Sequence, residues 1–274
     1  MVYIKIGSFL ILIQGHPGLA ESVRKLFKLF TIEKSIEPPD ISITVQQYRN
    51  KILIKCGKKQ EKLLPQEHFL FYIKWKIYEQ IILRLKDFLQ FHSAAVMKNK
   101  TVILFPGNYG HGKTTMSLFL KQYGYKIIND DAAIIHPKTH ELYILPKLIV
   151  ARASGLRRLN KIGKIYEKKA LKAGRKFLLD DFIKPRLYGP NKVKSYKCVF
   201  FKKKQKGDLT IKPMLVSQGW KELNKHLIYM PENDNLLRDY LRFVEKIEFF
   251  EMRFSSLKQT LKHLDRMTGT KTTP

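Results

Sequence analysis

Short apolar runs broken by polar punctuation set the pattern of the first third of the chain. The stretch "VYIKIGSFLILI" predicts strands, and "LAESVRKLFKLF" predicts a helix. "DISITVQQYRNKILIKC" alternates as a half-buried hairpin does. Glu37-Pro38-Pro39-Asp40 separates that helix from the hairpin, because prolines block helix continuation. The next segment, "EHFLFYIKWKIYEQIILRLKDFLQ", reads as one long helix leading into the rest of the chain, with its aromatic residues in the core. Residues 1–90 are therefore expected to form a small N-terminal α/β module.

Beyond it, "FHSAAVMKNKTVILFPG" predicts two short apolar strands joined by the polar turn "KNK", the second feeding straight into glycines. "YKCVFFKKKQKGDLTIKPMLV" reads as another hairpin, with Lys206-Gly207-Asp208 at its turn. Residues 232–268 look mainly helical around one strand at "KIEFFEMRF". A second domain over 91–268 follows, and 269–274 form a frayed tail.

Composition narrows the class. A chain of 274 residues holds one large domain or a small and a medium one, and 44% hydrophobic residues suffice for a core. The apolar run "FLILI" is too short, and too soon followed by Gly15, for a membrane span or a signal peptide. Cys56 and Cys198 form no CxxC pair, so neither a disulfide framework nor a zinc site is expected, and a cytoplasmic location is the default. The net charge of +29 attracts nucleic acid, anionic lipid or acidic substrates without choosing among them. Lysine outnumbers arginine several-fold, a bias that an AT-rich genome also produces. A polyanion is thus a candidate partner.

The chemistry concentrates in "PGNYGHGKTTMSLFLKQYGYKIINDD". Gly107, Gly112, Lys113 and Thr114 fit G-x-x-x-x-G-K-[ST], between the apolar strand "TVILF" and a helix ending at Gly124. In such a turn the glycines, Gly110 among them, let backbone N–H groups wrap a phosphate, and the new helix points its positive end at the same anion. Lys113 would reach the β and γ phosphates of ATP, Thr114 would hold magnesium through its hydroxyl, and Thr115 would support the loop. His111 reads as an exposed loop residue within the phosphate-wrapping stretch, not as a catalyst. "YKIIND" then delivers Asp130 and Asp131 at a strand's C-terminal end, which faces the ligand in a parallel sheet. Of two such carboxylates, one can organise the metal and the other accept the proton of an attacking hydroxyl. The short spacing from cradle to carboxylates suggests a phosphotransferase acting on something small or on an exposed side chain.

Three pieces in order, "FHSAAV", "PGNYGHGKTTMSLFL" and "GYKIINDDAAII", resemble the HPr kinase/phosphorylase superfamily, in particular its HPr-kinase-like serine kinases found near peptide natural-product genes. The nucleotide site is also similar, more distantly, to that of ATP-dependent phosphoenolpyruvate carboxykinase. The specific match covers residues 91–135. The resemblance implies an α/β fold whose P-loop lies on a mixed sheet of the HPr kinase C-terminal domain and carboxykinase type. It implies a kinase using ATP and magnesium on a hydroxyl, with serine the expected acceptor group on a peptide, protein or small molecule. It also implies Asp130 as the proton acceptor, Asp131 as its partner near metal and substrate, and His92 beside that pair. HPr kinases form oligomers, so a homo-oligomer is a further expectation.

Two features of the true HPr kinases are absent: a glycine-containing signature with acidic and arginine residues, and a later arginine-rich loop tied to phosphorolysis. "LPKLIVARASGLRRLN", basic throughout, stands where the first would fall, so the resemblance carries the kinase half alone. Arg152, Arg157 or Arg158 could reach the γ phosphate or an acidic acceptor, since arginine's fork pairs two phosphate oxygens. In "HPKTH", His136 and His140 have metal spacing only on a helix, and Pro137 makes a turn the better reading. Two alternatives stand beside the serine kinase: a small-molecule kinase of shikimate-kinase type, whose chain would begin at the cradle, and a nucleotide-gated nucleic-acid-binding protein.

Overall fold

A computed structural model describes residues 1–57, 60–145, 149–173, 176–179, 189–202 and 209–269. It is a mixed α/β protein with several mixed sheets, and its chain clusters into two units. The first takes in Met1–Leu85, Pro146–Ala153 and Ile165–Tyr188; the second takes in Lys86–Leu145, Ser154–Lys164 and Gly189–Pro274. The N-terminal module expected over 1–90 thus ends at Leu85 and recruits two later segments that the sequence reading assigned to the second domain. Among the described residues, no helix is long and apolar enough to cross a membrane.

In the first unit, β1 (Val2–Ile6), β2 (Phe9–Gly15), β3 (Thr31–Ile32), β4 (Ile41–Tyr48), β5 (Lys51–Cys56) and β6 (Gln60–Pro65) form one sheet in the order β3-β1-β2-β4-β5-β6. Helix α1 (Pro17–Leu26) starts on a proline, whose fixed φ suits the first helical position. It makes the crossover between β2 and β4, which pair in parallel, and buries Leu19, Ala20, Val23 and Leu26. Strand β4 alternates as a two-faced strand must, with Ile41, Ile43 and Val45 in the core. Helix α2 (Phe69–Arg84) is shorter than the expected 24-residue run; it buries Ile73, Ile77 and Ile81 at four-residue spacing. Strands β13 (Ile149–Arg152), β14 (Leu171–Ala173) and β15 (Lys176–Leu179) complete this unit as an antiparallel trio.

The second unit is built on the sheet β10-β8-β9-β17-β19-β18, made from β8 (Ser93–Lys98), β9 (Thr101–Pro106), β10 (Lys126–Asn129), β17 (Ser195–Phe201), β18 (Thr210–Met214) and β19 (Ile247–Arg253). Strands β8 and β9 form the expected hairpin, turning at Asn99 and Lys100, both at positive φ, as a two-residue turn with the twist of the strands requires. Every residue of β9 is buried. Helix α3 (Lys113–Lys121) packs on β8 and on α8 (Leu257–Met267), while α6 (Val216–Asn224) packs on β19 and on α7 (Asp234–Glu245). Strands β7 (Leu89–Phe91), β11 (Ala133–Ile135), β12 (Leu142–Ile144) and β16 (Gly189–Asn191) make a second small sheet. Two short helices, α4 (Ala153–Arg157) and α5 (Asn160–Lys169), lie at the exchanges of chain between the units.

One expected pairing is corrected. β17 and β18 do not form a hairpin, because β19 lies between them, parallel to β17 and antiparallel to β18. The apolar "YKCVFF" needs partners on both sides and finds β9 and β19, whereas β18, mostly solvent-facing and carrying Pro213, suits an edge. The expected turn residues Lys206, Gly207 and Asp208 lie outside the described residues.

Candidate phosphate-binding site

Strand direction assembles the site. β8 runs opposite to β9 and to β10, so the start of β8 lies at the same sheet edge as the ends of β9 and β10. At that edge stand His92, just before β8, the glycine-rich loop after Pro106, and Asp130 with Asp131 after Asn129. Three segments that are separate in sequence therefore meet because one strand of three is reversed.

The loop from Gly107 to Gly112 has the shape its glycines allow. Gly110 and Gly112 take φ of 94° and 88°, a left-handed region that costs a side-chain-bearing residue about 1–2 kcal/mol. Gly112 is the residue immediately before α3, whose first residue is Lys113. The Lys113 side chain is buried, and its ammonium donates to the carbonyls of Gly107 (2.5 Å) and Asn108 (3.2 Å). It also lies 3.1 Å from Nε2 of His92. An ammonium only donates, so Nε2 accepts and the ring proton sits on Nδ1. That nitrogen faces Oδ1 of Asp131 at 3.3 Å. Asp131 is half exposed, whereas Asp130 is buried at 5%. The sequence reading put His92 beside the aspartate pair; the structure joins it to Asp131 and to Lys113.

Thr114 and Thr115 are partly buried in the first turn of α3, and His111 is exposed in the loop. A Cβ built on Gly155 of α4 would stand 2.6 Å from Oγ1 of Thr115, so this glycine lets α4 approach the cradle helix. The sequence reading gave Gly155 no role. Its only signal was a small residue at the head of a basic run. Arg157 and Arg158, just beyond it, are exposed, and Arg152 belongs to the first unit.

A second unforeseen residue is His226, in a segment after α6 that pairs with β7. The His92 N–H donates to the His226 carbonyl at 2.6 Å, Leu227 bridges Phe91, and the Ile228 N–H donates to the Gln90 carbonyl at 2.8 Å. Burial, then repulsion from His92 once it is protonated, from the Lys113 ammonium and from His111, hold the His226 imidazole down at about 4, against a weaker opposite pull from Glu222. No motif marks it, since it reaches the cradle only through backbone pairing.

The pair His136 and His140 sits on a turn, as Pro137 predicts, with His140 N–H donating to the His136 carbonyl. Nδ1 of His140 lies 3.2 Å from the Lys246 ammonium in a cleft of about 490 Å³ that shares no lining residue with the cradle. Among the described residues, no three His, Cys, Asp or Glu side chains group to hold a metal. No protein-family model matches the chain, and no curated protein matches it.

Proposed function

We propose that this protein is an ATP- and magnesium-dependent kinase that transfers the γ-phosphate to a hydroxyl, with serine on a peptide or protein as the first candidate acceptor and a small molecule as the second. The observation that carries this reading is the chain Lys113–His92–Asp131, which ties the phosphate lysine to a half-exposed carboxylate. The order "FHSAAV", cradle, "INDD" is the order of the HPr-kinase-like enzymes that the sequence resembles. The antiparallel β8 beside the cradle strand favours that family over a shikimate-kinase-type enzyme.

The residues present fit a nucleotide polyphosphate. The left-handed glycines and the first turn of α3 offer backbone donors, and Lys113 offers an ammonium now spent on two loop carbonyls. Thr114 with the aspartates is an oxygen-only set, which suits magnesium, and an ion held by phosphates and water needs only one or two protein oxygens. When bound, magnesium neutralises charge building on the phosphates. Lys113 would exchange the carbonyls of Gly107 and Asn108 for phosphate oxygens. His92 would hold one oxygen of Asp131 through Nδ1–H.

Exposure supports Asp131 as the carboxylate that meets the incoming hydroxyl and accepts its proton, with buried Asp130 on the metal side. This reverses the division that the resemblance implies. The test incubates purified protein with magnesium, γ-labelled ATP and a size-fractionated host extract. Label in the peptide or small-molecule fraction that vanishes with Asp131→Asn is the expected result. A protein that binds no ATP would end the proposal.

A further inference from the structure

We propose that His226 belongs to the phosphate site and takes up a proton when a polyphosphate fills the cradle, adding a cation beside Lys113. This rests on the kinase reading only in that a polyphosphate binds at Lys113.

The geometry fixes the residue in place. Residues 226–228 run along β7, held by the 2.6 Å bond from His92 and the 2.8 Å bond to Gln90, so the backbone that carries the imidazole is anchored at the sheet edge where the site assembles. Nδ1 of His226 is buried and, among the described residues, has no hydrogen-bond partner. An unsatisfied buried nitrogen is costly, so it calls for a compensating use.

The charged and titratable groups around the ring come from four places. His92 stands between β7 and β8, Lys113 begins α3, His111 lies in the loop, and Glu222 sits on α6. Glu222 is itself engaged by Lys225 at 2.7 Å, and Asp131 lies on the Nδ1 side of His92. Three of the four groups that act on His226 are basic, so a proton there is unfavourable in the free protein. A bound triphosphate reverses the sign of that field and favours the imidazolium. By linkage, a ligand that raises proton affinity must itself bind more tightly as pH falls.

The test is calorimetry of magnesium-ADP binding at about pH 5.5 in buffers of different ionisation enthalpy, with wild type and His226→Asn. In wild type we expect uptake of more than about half a proton per ADP, and in the variant at most half of the wild-type value. NMR titration of the wild-type imidazoles gives a second readout that needs no folded variant. One histidine should titrate below pH 5 in free protein and about two units higher with ADP bound. Equal uptake in both proteins, or no histidine that moves this way, would overturn the inference and leave the kinase reading standing. Absence of ADP binding in wild type would overturn both.

Discussion

Nδ1 of His92 lies 3.3 Å from Oδ1 of Asp131, while the other ring nitrogen meets Lys113. The imidazole thus fixes the orientation of one carboxylate oxygen. His92→Ala is expected to lower kcat by roughly 10- to 100-fold, with KM for ATP changed less than about threefold, because Lys113 would meet the phosphate oxygens without help from the imidazole. Steady-state kinetics on a labelled acceptor decides it. An equal rise in KM would make His92 a nucleotide-binding residue instead.

The two aspartates should fail differently. Asp131→Asn removes the proposed proton acceptor and should cost about 10²–10⁴ in transfer, with no recovery as magnesium is raised. Asp130→Asn weakens the metal side, so part of its loss should return at high magnesium. Magnesium titrations of both variants check this, and recovery in the Asp131 variant alone would restore the roles that the resemblance implies.

Much of this site was legible because its signals are local. Glycine spacing, the strand before it, the helix after it and the aspartates all fall within one continuous run, and the polar "KNK" marks the turn at Asn99 and Lys100. What was hidden depends on partners distant in sequence. Insertion of β19 between β17 and β18 follows from which strands are apolar enough to be central, a choice made across about 50 residues. His226 reaches the cradle by pairing with β7, over 130 residues away, in a segment with no periodic pattern. The recruitment of residues near 150 and 170 to the first unit left no mark in composition, because the basic run is continuous across both units.

Gly155 offers a test of the cradle from outside the motif. An alanine there would press its Cβ on Oγ1 of Thr115 at a distance no relaxed contact tolerates, so the Thr115 hydroxyl must rotate away or α4 and the first turn of α3 must part. Gly155→Ala is expected to weaken ATP binding roughly 3- to 10-fold while circular dichroism stays the same. Unchanged affinity would show that α4 or the Thr115 hydroxyl yields and the cradle does not.

Asp265 of α8 should matter for stability. Its Oδ1 accepts from Lys98 at 2.8 Å and from the Tyr125 hydroxyl at 3.0 Å, which ties α8 to the end of β8 and to the segment entering β10. The pair is largely buried, with side-chain exposures of 18% and 13%. Asp265→Asn is expected to cost about 2–4 kcal/mol by leaving the ammonium poorly compensated, and Tyr125→Phe about 1 kcal/mol. Denaturant titration of both variants measures this, and equal losses would mean that the ion pair adds nothing beyond a hydrogen bond.

Acid should weaken the free protein through its histidines. His226 is held at about 4 in the folded chain, first by burial, against an ordinary 6.5, and His140 is lowered too, by burial and by Lys246. Between those values the unfolded chain binds more protons than the folded one, so stability is full above about 6.5 and is lost as pH falls toward 4. Because His226 is only partly buried, solvent screening reduces its share to on the order of 1 kcal/mol. Chemical denaturation at pH 7.5 and about 4.5 should therefore show a smaller loss in His226→Asn than in wild type. A saturating magnesium-ADP complex should shrink the wild-type loss as well, since a bound polyanion lets His226 keep its proton in the folded state. If the variant loses as much stability as wild type, the acid-sensitive group lies elsewhere, with His140 the next to replace.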